Sequence, residues 1–519
     1  MKNKLNIIYL KYNNGFKWFS NKEIYVKGYI IDNDIVYEGE SLIEYFSEVK
    51  NDSDFKDKIK RAKGLFSVII KEKNKIFAAV DRIRSFPLFY YEDNNEFTIT
   101  DDTYYLKKKY QLECNQLSKK EFLFARYVTG KETLLENVFQ IQAGEYLIYN
   151  NKIRNLYYHD FLTTKVNLNN FEDSRKEFLS ILKRLTHRLV SSVKEKTIVV
   201  PLSSGYDSRL VASLLKMYGF KNVICFTYGK KDSVDVSISK NVARQLGYKW
   251  IFVDHHYDAK VSKYINSTEF INFSKLAYNH TSIVHLQDYF VVKQLKTNNL
   301  IPSNSIFVPG HSGDMLVGNH LYRGDDIQVK LDRFVKKITK RHYILKPYYR
   351  DSKIELKLKN YYSKNHLPHS LIDNYNMKER QSKFIVNSVR VYEYFGYSHR
   401  MPLWDEELVR FFKTLDFKSK LDSNFYKKVI FNDIFKSLKI DIIPPDKLQN
   451  GRVIKGFLKQ ILSQYLVSSY RKHFYSNTKV NDFHPYSNIL NSMKENSSSE
   501  RTNVDGIITN WILENKFMK

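Results

Sequence analysis

The chain has 519 residues, 43% hydrophobic and 15% aromatic, which is too long for one typical core and rich enough for a packed interior. Lys and Arg outnumber Asp and Glu by 84 to 56, a formal charge of +28 that raises nucleic acid, a membrane surface or an anionic substrate as partners. The lysines alternate with Asn, Asp and Glu without a long basic tail, so much of this charge reads as solvated surface, and two cysteines, Cys114 and Cys225, exclude a disulfide framework or a zinc site.

The opening stretch "MKNKLNIIYLKYNNG" has an apolar run broken by Lys11, too short for a signal peptide. No run of about 18 apolar residues follows, so the expectation is no membrane span and a cytoplasmic chain. To about Asp160 the chain alternates apolar and polar residues in short runs. "GLFSVIIKEKNKIFAAVDR" (64–82) reads as two strands turning at Asn74 and Lys75. Further hairpins are expected around Asp93 to Asn95 and at Asn150 and Asn151.

The pattern changes near Asn169. Phe178, Ile181, Leu182, Leu185 and Leu189 recur at helical spacing. "KTIVV" then reads as a buried parallel strand, and Cys225 falls in a second one, "NVICFTYG", as a small core residue. A helix ending at Gly219 lies between them; the helix "SVDVSISKNVARQLG" and the strand "KWIFVD" follow. This β-α-β-α-β order predicts a doubly wound parallel sheet. Beyond about Lys330 the pattern is mostly helical. The expected architecture is a two-domain α+β and α/β chain. A β-rich domain spans 1–165, and a parallel-sheet domain with a helical tail spans 170–519.

The chemistry-bearing stretch is "VVPLSSGYDSRLVASLL" (199–215). Ligands of open α/β sheets bind beyond the carboxyl ends of the strands, where the loop Ser203-Ser204-Gly205-Tyr206-Asp207-Ser208 falls. Loop N–H groups and a helix N-terminus suit an anion, Ser203 and Ser208 add hydroxyls, and Asp207 adds an oxygen ligand for Mg²⁺. The same residues also describe an ordinary strand-to-helix turn capped by Asp207 or Ser208. The loop lacks the Walker form.

"PLSSGYDSRL" resembles the SGGxDS loop of PP-loop ATP pyrophosphatases, with Ser204 where a Gly is usual. "VPGHSGDMLVGNH" (308–320) resembles the SGEGxDELFGGY loop of asparagine synthetases, with Gly310, Asp314, Leu316 and Gly318 in register. "FGYSHRMPLWDEELVRFFKTLD" is similar to EVRVPFLDxxLVEFxxxLP, with Arg400, Pro402 and Asp405 in place. Upstream, "GLFSVIIKEKNKIFAAVDRIRSFPLFYY" and "GKETLLENVFQIQAGEYLIY" resemble class II glutamine amidotransferase domains. The resemblance to the asparagine synthetase-like family spans nearly the whole chain. It implies an Ntn-type sandwich followed by a PP-loop, HUP-like domain.

That resemblance implies an ATP-dependent ligase that adenylates a carboxylate and releases AMP and pyrophosphate. Leu202, Ser203, Ser204, Gly205, Asp207, Ser208, Tyr228, Pro309 and Gly310 would bind ATP, with Leu202 and Phe226 or Tyr228 against the adenine. For Phe226 the competing reading is core packing. Asp207 and Asp314 would hold Mg²⁺. His311 stands where the family has a catalytic Glu; it could act as general base or merely fill the loop. Met315 replaces an acidic residue. Lys447 and Lys455 are candidates for the family's late cation. His255, His256 and His280 would face substrate, without the spacing of metal ligands. The family's thiol nucleophile position is Lys2, and its RGPD and NGEIYN stretches have no counterpart, so the first domain is expected to be silent as a glutaminase.

The carboxylate could be aspartate, a uronic-acid sugar or a peptide, and nitrogen could come from ammonia, a separate glutaminase or an amine. Related chains with a silent first domain close rings internally or amidate sugar carboxylates for surface polysaccharides. A homodimer is left open. Two rivals stand beside this reading: a tRNA-modifying PP-loop enzyme, which the charge favours, and a non-catalytic scaffold that would not bind ATP.

Overall fold

Strands of alternating pattern stack first as two sheets. The protein is described here by a computed structural model over residues 4–167, 169–229, 231–254, 265–286, 288–346, 348, 350–443, 493 and 504–514. A seven-stranded antiparallel sheet runs in the order Ile153–Tyr157, Glu145–Tyr149, Lys75–Val80, Lys63–Glu72, Ile24–Asp32 and Phe19–Ser20, with Ile35–Glu38 also paired to Ile24–Asp32. The second sheet runs Leu5–Tyr9, Glu96–Thr100, Phe89–Glu92 and Val138–Gln140.

The pleat explains the burial. Ile69, Ala78 and Val80 point into the space between the sheets with Tyr90, Phe97 and Ile99. Their neighbours Val68, Ile70, Phe77 and Ala79 point the other way, onto Leu42, Phe46, Phe55 and Ile59 from the helices Ser41–Ser47 and Asp52–Arg61. The first hairpin turns at Lys73 and Asn74, one residue earlier than expected: Glu72 pairs with Lys75, and Lys73 takes the left-handed φ of 47° that closes a two-residue turn. The turns at 93–95 and 150–151 fall where the sequence puts them.

The second half is built on a five-stranded sheet, all parallel, in the order Lys249–Asp254, Val223–Gly229, Ile198–Pro201, Ile306–Phe307, Ser398–His399. Ile198, Val200, Val223 and Cys225 face the helices Phe171–Val193, Tyr206–Met217 and Val234–Leu246. Val199, Ile224, Phe226 and Phe307 face the helices Thr268–Tyr278 and Tyr289–Thr297 on the other side. The sheet is therefore covered on both faces, which is why its strands read as continuous apolar runs. Helices dominate after Leu331, including a π-helical stretch at Asn376–Ile385.

The two halves share one apolar cluster: Phe16, Tyr29, Phe86 and Phe122 pack in it with Tyr278, Phe307 and Tyr392. Buried polar contacts cross the same boundary. Arg400 stacks on Tyr29 at 3.9 Å and reaches Glu38 at 3.0 Å. Among the described residues no helix is long and apolar enough to cross a membrane.

Candidate active site

The strand order makes one crevice special. Ile198–Pro201 and Ile306–Phe307 are neighbours, and the chain winds outward from them in both directions. The space beyond their carboxyl ends is the topological switch point, where open α/β sheets bind ligands. The Leu202–Gly205 loop leaves the first strand and the Val308–Ser312 loop leaves the second.

The two loops touch. A Cβ on Gly310 would lie 2.5 Å from Ser208 N and 2.7 Å from Asp207 C. One on Gly313 would lie 2.6 Å from Asp207 Cγ. Glycine at both places lets the second loop close on the first turn of the helix Tyr206–Met217. That closure brings Asp207, half-buried, beside the segment that carries the exposed Asp314. The Tyr426 hydroxyl donates to Asp207 Oδ1 at 2.7 Å. Burial raises the Tyr426 hydroxyl well above its ordinary pKa, and Asp207 and Asp314 raise it further, so it stays a donor.

Two carboxylates, one open to solvent, are hard oxygen donors of the kind Mg²⁺ takes when phosphate oxygens complete its shell. Among the described residues no group of three His, Cys, Asp or Glu gathers to hold a metal by itself. The donor set thus fits a metal delivered with a nucleotide rather than a closed protein site.

The first loop is knitted by its own side chains. Ser203 N–H donates to Ser208 Oγ at 3.0 Å and Gly205 N–H to Ser203 Oγ at 3.1 Å. Ser204 N–H donates to Asp235 Oδ1 at 2.7 Å, so a carboxylate already rests on one loop amide. Buried Arg209 binds Ser204 O, and it holds Ile440 O and Ile442 O at 3.0 and 2.6 Å. Asp235, Arg209 and Tyr426 were not legible as site residues. Each lies far from the loop in sequence or reads as an ordinary helix residue.

His311 sits in the second loop. Ser388 Oγ lies 3.0 Å from His311 Nε2 and donates to Ile385 O at 2.7 Å. With that hydroxyl hydrogen spent, Ser388 accepts from Nε2–H and Nδ1 carries the lone pair. Burial pulls the His311 pKa below its ordinary value; Asp288 pushes it up, His285 down and Asp314 up. The ring is neutral near pH 7. Tyr228 donates to Asp288 Oδ1, which joins this cluster to the end of the strand Val223–Gly229.

The remaining residues divide. Leu202 is 2% exposed and Phe226 is fully buried, packed on Phe307 at 6.0 Å. Pro309 is buried beside Gly310. His280 is buried against Thr103, with Nδ1 2.8 Å from its hydroxyl, and packs on Tyr104 and Tyr278. Arg400 serves the join between the halves through Glu38 and Tyr29, whereas Asp405 takes a two-pronged pair from Arg188 within the second half at 2.8 and 2.9 Å. Lys2, His255, His256, Lys447 and Lys455 lie outside the described residues. Burial raises the Cys114 thiol and pushes Cys225 up to about 12, so neither is poised as a thiolate.

Residues 39–159 match the glutamine amidotransferase domain model. An amidotransferase domain followed by a parallel sheet, with both matched loops at its switch point, is the order the resemblance implies. The chain is asparagine synthetase-like. One curated relative, the microcin J25-processing protein McjC of Escherichia coli, is 22% identical to this asparagine synthetase-like chain over 324 residues. That match covers 61% of the chain and 58% of the relative. Among solved structures, an NH3-dependent NAD synthetase from Campylobacter jejuni aligns at 12% identity and a TM-score of 0.21, over 41% of this chain and 96% of that one. A glutamine phosphoribosylpyrophosphate amidotransferase from B. subtilis aligns at 9% and 0.18, over 57% and 63%. Likeness at those scores is too slight to carry an argument.

Proposed function

We propose that the chain is an AMP- and pyrophosphate-forming carbon–nitrogen ligase that joins a substrate carboxylate to ammonia or an amine. The observation that carries this reading is the closure of Gly310 and Gly313 onto Ser208 and Asp207, which sets two carboxylates at the mouth of an anion-accepting loop. Mg²⁺, when bound by Asp207 and Asp314, would supply charge neutralisation to the nucleotide phosphates.

The chain's own groups do the rest. Ser203, Ser204, Gly205 and Ser208 hold the pyrophosphate part of ATP, whose amide contacts replace those that Asp235 and the serines now make. The substrate carboxylate oxygen attacks the α-phosphorus, and the bond to the bridging oxygen of pyrophosphate breaks. Catalysis here is positioning and electrostatic stabilisation. The amine nitrogen then attacks the acyl carbon, AMP leaves, and His311 Nδ1 takes the amine's proton.

Residues 1–165 are proposed as an amidotransferase-like domain without glutaminase chemistry, and 170–519 as the ligase domain. The Cys114 thiol, raised by burial, supports the silence of the first. The carboxylate belongs to aspartate, a uronic-acid sugar or a peptide. Asp207→Ala and Asp314→Ala are each expected to abolish pyrophosphate release from Mg·ATP. Turnover retained in both would overturn the metal assignment.

A further inference from the structure

One buried carboxylate ties together the segments that carry the candidate site. Asp373, 8% exposed, lies on the helix Pro368–Tyr375. Its Oδ1 lies 2.7 Å from His320 Nε2, and its Oδ2 accepts from Lys420 Nζ. Lys420 is 2% exposed. Burial works against the Asp373 charge, but the Lys420 ammonium and the His320 hydrogen bond hold its carboxyl below the ordinary range. An ionised carboxylate only accepts, so His320 Nε2–H is the donor.

Three arms lead from this carboxylate to the site. The first runs through His320 to the segment of Asp314. Gly318, at a φ of 96°, is seated on Lys420: a Cβ there would lie 2.4 Å from Lys420 O. Only glycine allows that approach with that backbone. Asn319 N–H donates to Asp314 O at 2.9 Å, which joins the seat to the residue carrying the second carboxylate. The second arm starts at Lys420, the last residue of the helix Phe417–Lys420. The chain reverses through Asp422 and Ser423, both left-handed, into the helix Asn424–Val429. There the Tyr426 hydroxyl donates to Asp207 Oδ1 at 2.7 Å. The third arm is the helix of Asp373 itself. It continues through Asn376–Ile385 into Val386–Val389, where the Ser388 hydroxyl meets His311 Nε2 at 3.0 Å.

We propose that Asp373 is a positioning residue: by holding His320 and Lys420 together it sets the spacing of Asp207 and Asp314, and so the place of Mg²⁺ with its nucleotide. The inference rests on the ligase reading and deepens it. Apolar residues of similar volume hold a fold about as well as a buried ion pair does. What they lack is direction. Charge-assisted hydrogen bonds from two sides fix the Asp373 carboxylate in angle as well as distance. Metal carboxylates need that precision from the groups behind them.

The test is calorimetric titration of the full chain with Mg·ATP and, separately, with ATP in excess chelator, beside a melting curve. Asp373→Asn strands the Lys420 charge, so its melting temperature should fall. The double variant Asp373→Asn, Lys420→Met removes that stranded charge and should regain most of the loss. In both variants Mg·ATP should bind about tenfold more weakly, the effect of disturbing the groups behind a metal ligand. Metal-free ATP should bind them as it binds the unmodified chain. The proposal is overturned if Mg·ATP affinity is unmoved, if it returns with the melting temperature in the double variant, or if both forms of ATP weaken equally. A double variant that does not fold would overturn it too, by making the pair a prop of the fold. An unmodified chain that binds neither form of ATP fails the ligase reading itself, whereas one that binds Mg·ATP with unmoved variants fails this inference alone.

Discussion

Gly313 lies against the carboxyl group of Asp207: a Cβ at this position would sit 2.6 Å from Asp207 Cγ and 2.8 Å from Oδ1. Its other close neighbour, Leu403 Cδ1 at 2.7 Å, closes the opposite side. The constraint is space, since Asp207 and Leu403 are both held by their own elements. Gly313→Ala should therefore push the second loop off the first. Overpacking of this kind costs about 1–3 kcal/mol, visible as a lower melting temperature. Pyrophosphate release should fall further than the lost stability explains, because Asp314 moves with the loop. Unchanged turnover in Gly313→Ala would contradict the contact between the loops.

Tyr426 acts on the same carboxylate. Its hydroxyl donates to Asp207 Oδ1 at 2.7 Å. Tyr426→Phe removes the donor and leaves the shape. Loss of a partner behind a metal ligand weakens metal affinity by about 10–100-fold. A titration of pyrophosphate release against Mg²⁺ should show the half-saturating concentration rising by that order, with the maximal rate less affected. An unmoved midpoint would remove Tyr426 from the account.

How much of this was legible in the sequence follows from element length and distance along the chain. Ile69 and its neighbours alternate in the face they present but are apolar on both, so these strands read from short apolar runs bounded by turn residues rather than from period two. The middle strand and its Ser-Ser-Gly turn read from a continuous apolar run before a helix. The switch point did not read, because the strands Ile306–Phe307 and Ser398–His399 have two residues each and leave no periodic signal. Ser388 and Asp288 reach His311 through loops and helices that look like ordinary packing elements. Lys73 had no turn signature of its own, which displaced the first hairpin by one residue.

His311 gives a pH prediction with a definite sign. Burial lowers its pKa, so the imidazole remains unprotonated below the ordinary histidine value of about 6.5. As a base it works in the neutral form. The amide-forming step should be flat from neutral pH down past that value and fall only as the ring gains its proton at lower pH. His311→Ala should lose amide formation while keeping exchange of labelled pyrophosphate into ATP. Loss of both steps together would place His311 in the adenylation chemistry instead.

The thiols give a simple control. Cys225 is held near 12 by burial and Cys114 is raised in the same direction. The double variant Cys114→Ser, Cys225→Ser should retain its ammonium-dependent turnover. A selective loss of glutamine-dependent turnover in this variant would show that a thiol does serve as nucleophile.

The most direct measurement is the product pair released from Mg·ATP by the full chain, with aspartate, uronic-acid sugars and carboxylate peptides supplied in turn and ammonium or glutamine in separate reactions. The account predicts AMP and pyrophosphate in equal amounts with at least one carboxylate, supported by ammonium and not by glutamine. ADP and phosphate as products, turnover with glutamine alone, or a chain that binds no Mg·ATP would each contradict it.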